Sequence, residues 1–258
     1  MAPRKKAKHK LIAAELEIVE FQGLYKLTYD NMTVKTGYGA EIIHSSKSLL
    51  RHMIAEFDME GSLCIIDQAI DSPKFFGAYA LFAIQKEFIE KGTEELSVSL
   101  ERFLFSDPIL HCYAGPEVTD QMARWSPVLE FLRTHGQKLP SLPQLMSGHD
   151  LLEAGTELSD FNFTESFISF VRDQYQSLSV EWRSVVMYLF SIHQGPVLLP
   201  IVLAKEYCTP DEYASAVMAA RCTLAGVFGV KANQHREEFI GLRDDARTAL
   251  EYIRHCGE

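Results

Sequence analysis

The chain has 258 residues, 47% of them hydrophobic, and a formal net charge of -10. That is enough apolar material for a core in one large domain or two modest ones, and it excludes a chain too polar to fold. So acidic a body repels nucleic acid, and no run of about 18 apolar residues offers a membrane span.

The acidity is uneven. Residues 1–10 carry Arg4, Lys5, Lys6, Lys8 and Lys10 and no acid. A like-charge run of this kind stays solvated, so a disordered basic arm is expected there, with a contact arm for an acidic partner or anionic lipid as the alternative. No apolar stretch of leader length follows, and the arm is too short and too poor in serine for a mitochondrial presequence. The 5 cysteines are scattered without a C-x-x-C pair, which suits a reducing compartment.

Residues 11–113 read as a β-rich N-terminal domain with covering helices. Leu16 and Ile18 alternate with Glu15 and Glu17, and Tyr25, Leu27 and Tyr29 share one face of the next strand. Asp30-Asn31 predicts a two-residue turn before the return strand at Met32 and Val34, and Gly37 and Gly39 bracket the next reversal. A meander this short needs a cover, supplied by a helix capped at Ser45 or Ser46 with Leu49, Leu50, Met53, Ile54 and Phe57 on one stripe and Gly61 at its end. A second helix follows Asp71-Ser72-Pro73 and runs to Lys91-Gly92. Leu100 to Tyr113 predicts two short strands broken at Asp107-Pro108.

Residues 114–258 read as a mainly α-helical C-terminal domain, so the fold class is α+β. After Gly115-Pro116, Val118, Met122, Trp125, Leu129 and Leu132 form one stripe at alternating four- and three-residue spacing. Pro127 interrupts it, so the helix kinks there or restarts with Ser126 as cap. Between Gln137 and Glu157 a proline- and glycine-bearing surface connection is expected. Amphipathic Phe163–Leu178 then precedes Val180–Gln194, whose all-round apolarity suits a bundle centre. Val197–Ala204 is another buried segment. Thr209-Pro210-Asp211-Glu212 holds every part of a capped helix start, and Asn233–His255 is a surface helix with Phe239, Leu242, Ala246, Ala249 or Leu250 and Ile253 on its buried face.

Motifs for chemistry are scarce. The 9 histidines make no metal-binding spacing, and His111-Cys112, adjacent on a strand, would point to opposite faces. No nucleophile elbow, P-loop or dinucleotide fingerprint occurs. Asp67 and Asp71 would share a face of a helix, although Pro73 favours a capping role for Asp71. No catalytic, cofactor-binding or metal-ligating residue is therefore assigned.

The order Ser106-Asp107-Pro108-Ile109-Leu110-His111-Cys112-Tyr113, then Gly115-Pro116, then Trp125-Ser126-Pro127-Val128-Leu129, resembles the ATP12 family, the assembly chaperones of the F1 sector of ATP synthase. Asp107, Tyr113 and the Trp125 triplet match its T-D-L-x-x-Y and Trp-Asp-Pro segments, with Ser126 in place of aspartate. Leu24-Tyr25-Lys26-Leu27 with Val34-Lys35-Thr36 looks like its opening hairpin, and Ser46 to Asp58 like its first long helix, with Phe57 for tryptophan. Ala69-Ile70-Asp71 and Phe228-Gly229-Val230 extend the likeness over roughly residues 24 to 255, Phe228 again replacing tryptophan. Where the family carries an acid and a glutamine before that last turn, this chain has Arg221 and Leu224.

The resemblance implies an alphaproteobacterial-type, non-catalytic chaperone without cofactor. It would bind the free F1 α subunit, hand it to the β subunit and be monomeric when free. Its place would be the bacterial cytoplasm, or the mitochondrial matrix in a eukaryote. Phe57, Trp125, Arg221, Phe228 and Gly229 are the candidate partner contacts, expected in a groove between the β-rich and helical parts, against a plain interior role for the three aromatics. Two rivals remain: a hydrolase-like enzyme built on Asp67, Asp71 and His111, and a general helical protein-binding scaffold.

Overall fold

The computed structural model describes residues 8–11, 13–59, 63–66, 68–70, 77–93, 100, 102–104, 107, 122–137, 164–193, 196–228 and 232–257, with side chains described outside 8–13, 63–66, 220–228 and 232–235. The α+β class holds. Two compact units form, Met1–Thr93 with Thr248–Glu258, and Glu94–Arg247, so the division falls upstream of residue 113 and the end of the chain counts with the first unit.

The first unit contains two small sheets. Strands β1 (Lys8–Leu11), β2 (Glu17–Phe21), β3 (Leu24–Tyr29), β4 (Met32–Thr33) and β5 (Ile43–His44) precede helix α1 (Lys47–Met59), and β6 (Leu63–Ile66) and β7 (Ala69–Ile70) follow it. β3 pairs antiparallel with β2, β4 and β5. Asp30 and Asn31 both have positive φ, 49° and 61°, and so do Gln22 and Gly23, 54° and 77°, which gives both hairpins the turn that matches strand twist. The meander is thus as expected, and α1 packs across β2, β3 and β5 with Leu49, Leu50, Met53 and Phe57 buried. Ser46 is its cap, accepting from the Leu49 amide at 3.1 Å.

The second sheet, ordered β1-β6-β7, departs from expectation. Lys8 to Lys10, placed in a disordered arm by their charge, lie in β1, paired from Lys8 opposite Ile66 to Leu11 opposite Leu63. Main-chain pairing is indifferent to side-chain charge when one strand face stays solvated. The Lys35 amide donates to Gln68 O at 2.8 Å and the Ile70 amide to Lys35 O at 2.9 Å, so one residue ties the sheets together. Helix α2 (Ala78–Ile84) then runs on through a π turn at Gln85–Ile89.

The second unit is helical: α3 (Ser126–Thr134), α4 (Glu165–Gln176), α5 (Val180–His193), α6 (Leu198–Ala204), α7 (Pro210–Phe228) and the first part of α8 (Ala232–Gly257). Residues 100 and 102–104 are helical, not strand. Leu100 and Leu104, both buried, are four apart, a spacing that a strand and a helix share. The centre is α6 rather than α5: all seven residues of Leu-Leu-Pro-Ile-Val-Leu-Ala are buried, and α3, α4, α5 and α7 pack on it. α7 starts as read, with the Glu212 amide donating to Thr209 Oγ1 at 3.2 Å and the Thr209 amide returning to Glu212 Oε2 at 2.8 Å. On α8 the buried positions are Leu242, Ala246, Ala249 and Tyr252, while Ile253 is half-buried. The connection expected over 137–157 lies, beyond Gln137, outside the described residues.

Candidate partner-binding site

Trp125 has no exposed surface, and its Nε1–H donates to Ala216 O on α7 at 3.2 Å. It is itself the N-terminal cap residue of α3, with φ -87° and ψ 5°, and Pro127 sits in the first turn, where no amide donor is needed. The break predicted at Pro127 is therefore a restart, one residue earlier than a Ser126 cap. Val128, Phe131 and Leu132 join Trp125 in the core, whereas Leu129 is half-buried.

Asp107 is also fully buried. Its Oδ2 accepts from the Val197 amide at 2.7 Å and the Leu198 amide at 2.9 Å, so a residue far away in sequence caps the first turn of α6. Asp107 and Trp125, two described members of the family-like segment, thus organise the second unit from inside.

In the first unit Phe57 has no exposed surface and meets the Tyr79 ring edge-on, centroids 5.5 Å apart. Arg221 and Phe228 lie on α7, Phe228 as its last residue, with their side chains outside the described residues; Gly229, His111, Tyr113, Asp67 and Asp71 lie outside them altogether. Strand β6 ends at Ile66 and β7 begins at Ala69, paired antiparallel, with Gln68 at φ 70° before β7; the shared helical face expected for Asp67 and Asp71 falls outside the described residues.

One polar constellation escaped the sequence reading. His193 on α5 is 5% exposed, its Nδ1 lies 2.8 Å from Tyr213 Oη and its Nε2 3.0 Å from Asp245 Oδ2. The residue types suit acid–base chemistry, but His193 and Tyr213 are buried and only the Asp245 carboxylate reaches solvent. The triplet instead ties α5, α7 and α8 together. Its members are 20 and 52 residues from His193, a separation no local motif reveals. Among the described residues no group of three or more His, Cys, Asp and Glu is placed to hold a metal ion, and no helix is long and apolar enough to cross a membrane. Burial pushes the Cys208 thiol up to about 12, which makes it unreactive.

Glu56 on α1 holds the start of α2. Its Oε1 accepts from the Ala78 amide at 2.8 Å and its Oε2 from the Tyr79 amide at 3.3 Å. Gly77 has φ 134°, and a Cβ there would come within 2.3 Å of Glu56 Oε1, so only glycine lets the carboxylate in. Burial raises the Glu56 carboxyl above its ordinary value more than these two amides lower it, and Glu251 adds to the rise. A raised carboxyl favours the folded state while protonated. That contribution is complete below the ordinary carboxylate value and is lost as pH rises through the raised one. Glu56→Gln, which has no proton to lose, should lose less stability than the parent between pH 4 and pH 7 in urea titrations. An unchanged slope would show that Glu56 does not titrate there.

The surface of the first unit carries apolar side chains that sequence patterning did not single out. On β2 and β3 the face away from α1 presents Val19, Phe21 and Leu24, 39%, 46% and 41% exposed. The signal was present in Glu17-Ile18-Val19-Glu20-Phe21, whose apolar residues occupy both faces rather than one.

Among the described residues, a helical unit in which α3, α4, α5 and α7 pack on the buried α6, together with two small antiparallel sheets, one of them covered by α1, defines an α+β fold already known from solved structures. It is the fold of Atp12. Atp12 from Paracoccus denitrificans superposes with a TM-score of 0.67 at 11% identity, over 94% of this chain and 96% of that one. An Asp-to-Lys mutant of Atp12p from that organism gives 0.66 at 10%, over 94% and 95%, and a candidate chaperone from Agrobacterium tumefaciens gives 0.64 at 14%, over 93% and 84%. No protein-family profile matches the sequence, and no curated protein matches it either.

Proposed function

We propose that the protein is a non-catalytic assembly chaperone that holds the free F1 α subunit of ATP synthase until the β subunit replaces it. The observation that carries this reading is the likeness to Atp12 over 94% of this chain and 96% of that one, from end to end rather than in one part. The sequence resemblance at Asp107 and Trp125 points the same way. An unassembled ring subunit exposes apolar and strand-edge surface that aggregates unless covered. The holder works without nucleotide, since the sequence has no P-loop, and release follows from competition by the β subunit. It acts as a monomer in the bacterial cytoplasm, or in the mitochondrial matrix of a eukaryote.

Arg221 and Phe228 of α7, and Gly229 next in sequence, are the proposed partner contacts. Phe57 and Trp125, being interior, serve by fixing α1 and α3. Co-expression with F1 α alone, F1 β alone and neither tests the proposal. Soluble complex with α only is the expected result; complex with β, or no gain in soluble α, would overturn it.

A further inference from the structure

We infer that the outer strand β2, with the Val19, Phe21 and Leu24 face beside it, docks an extended segment of a partner protein that alternates apolar and basic side chains. The inference rests on the chaperone reading for its biological partner, but the surface argues for itself. β2 is the outer strand of its sheet among the described residues. Phe21 and Leu24 flank the two-residue Gln22-Gly23 turn and so form a hydrogen-bonded pair. Alternate residues share that direction, so Glu17 and Val19 bond to β3, while Ile18 and Glu20 turn their amides and carbonyls outward.

Natural sheets protect such an edge with charged side chains, lysine above all, with proline or with a bulge. β2 is Glu-Ile-Val-Glu-Phe and has neither lysine nor proline, and its two charges are both acidic, so they repel another acidic edge and leave a basic one free to pair. Its register with β3 runs unbroken from Glu17 opposite Thr28 to Phe21 opposite Leu24, so it has no bulge either. An added strand would find main-chain partners at Ile18 and Glu20 and an apolar face at Val19 and Phe21, the mode by which strand addition gains affinity from backbone bonds and specificity from alternate side chains. Lys26 does not close that face: its Nζ stands 4.8 Å over the Phe21 ring, which remains 46% exposed.

Charge selects the occupant. Glu17 and Glu20 are exposed along this edge. A second copy of the chain would bring its own two carboxylates against them, whereas a segment bearing lysine or arginine neutralises them. A patch one hairpin wide also suits a single strand better than the roughly 800 Å² per partner of a stable rigid interface.

The test uses the full chain and its Glu20→Pro variant, in which only an outward amide is lost and the ladder to β3 is kept. The probe is a short capped peptide of alternating valine and lysine, with a valine–glutamate peptide as control. The valine–lysine peptide should bind the parent, bind Glu20→Pro about tenfold or more weakly, and outcompete the control, with the thermal midpoint of the variant unchanged. A Phe21→Ser variant should weaken binding as well, which keeps the test decisive if the proline variant fails to fold. Equal binding to parent and variants, no binding at all, or a parent dimer that becomes monomeric on Glu20→Pro would overturn the inference. Co-expression with F1 α separates the two readings. Parent and variants holding α equally would sink the docking edge alone, whereas failure of the parent to hold α would sink the chaperone reading and leave the peptide result to decide the edge.

Discussion

Trp125→Ala should destabilise the helical unit by about 3–5 kcal/mol, the range for removing a large buried aromatic. The side chain has no exposed surface, is the first residue in the α3 cap, and reaches α7 through its indole N–H to Ala216 O at 3.2 Å. Truncation leaves a cavity between two helices whose positions it sets. Trp125→Phe retains most of the ring and loses the donor, so it should cost only about 1–2 kcal/mol. The protein has 2 tryptophans, and Trp182 is only half-buried, so the blue-shifted part of the emission belongs to Trp125 and disappears in either variant. Denaturant unfolding followed by far-ultraviolet circular dichroism checks the energies. A loss below about 1 kcal/mol for the alanine variant would mean that the site collapses without cost.

The contrast between Trp125 and the residues around it shows what patterning can read. A four- and three-residue apolar repeat locates a buried stripe: Leu242 and Ala246 lie on such a stripe and are inward, and so do Phe57 and Trp125, whose full burial corrects the expectation that they are partner contacts. Local capping chemistry reads equally well. Thr209 with Glu212 is a reciprocal cap contained in four residues, and it forms as expected. Strand identity reads poorly where the run is short. Leu100 and Leu104 fit both periods, and Cys64-Ile65-Ile66 is an apolar run without alternation that became β6. Long-range polar partners were illegible: nothing in the sequence near Asp107 tells that Val197 and Leu198 complete it, nor near His193 that Tyr213 and Asp245 do. The fold class could be read because burial has a period. The candidate docking edge was missed for the opposite reason, since a solvent-facing apolar position breaks the alternation from which a core is inferred.

Asp107→Ala should cost roughly 3 kcal/mol, through loss of two charge-assisted hydrogen bonds to the α6 amides that no water can replace. Both donors, Val197 and Leu198, are in residues with no exposed surface, and every residue of α6 is buried, so the orphaned N–H groups stay unsatisfied. Relief of the desolvation that the buried carboxylate suffers offsets part of the loss, which is why the figure stays below the sum for two independent bonds. Asp107→Asn keeps an amide oxygen where Oδ2 receives both donors, at 2.7 and 2.9 Å, and so should retain about half the stability that alanine forfeits. Hydrogen exchange supplies a readout specific to the cap. The Val197 and Leu198 amides should exchange slowly in the parent, at an intermediate rate in the asparagine variant and fast in the alanine variant, while the α7 amides change only as far as global stability does. Asparagine as damaging as alanine would show that the charge, rather than the accepted bonds, holds α6 in place. An alanine variant with parental exchange at those two amides would remove Asp107 from the cap altogether.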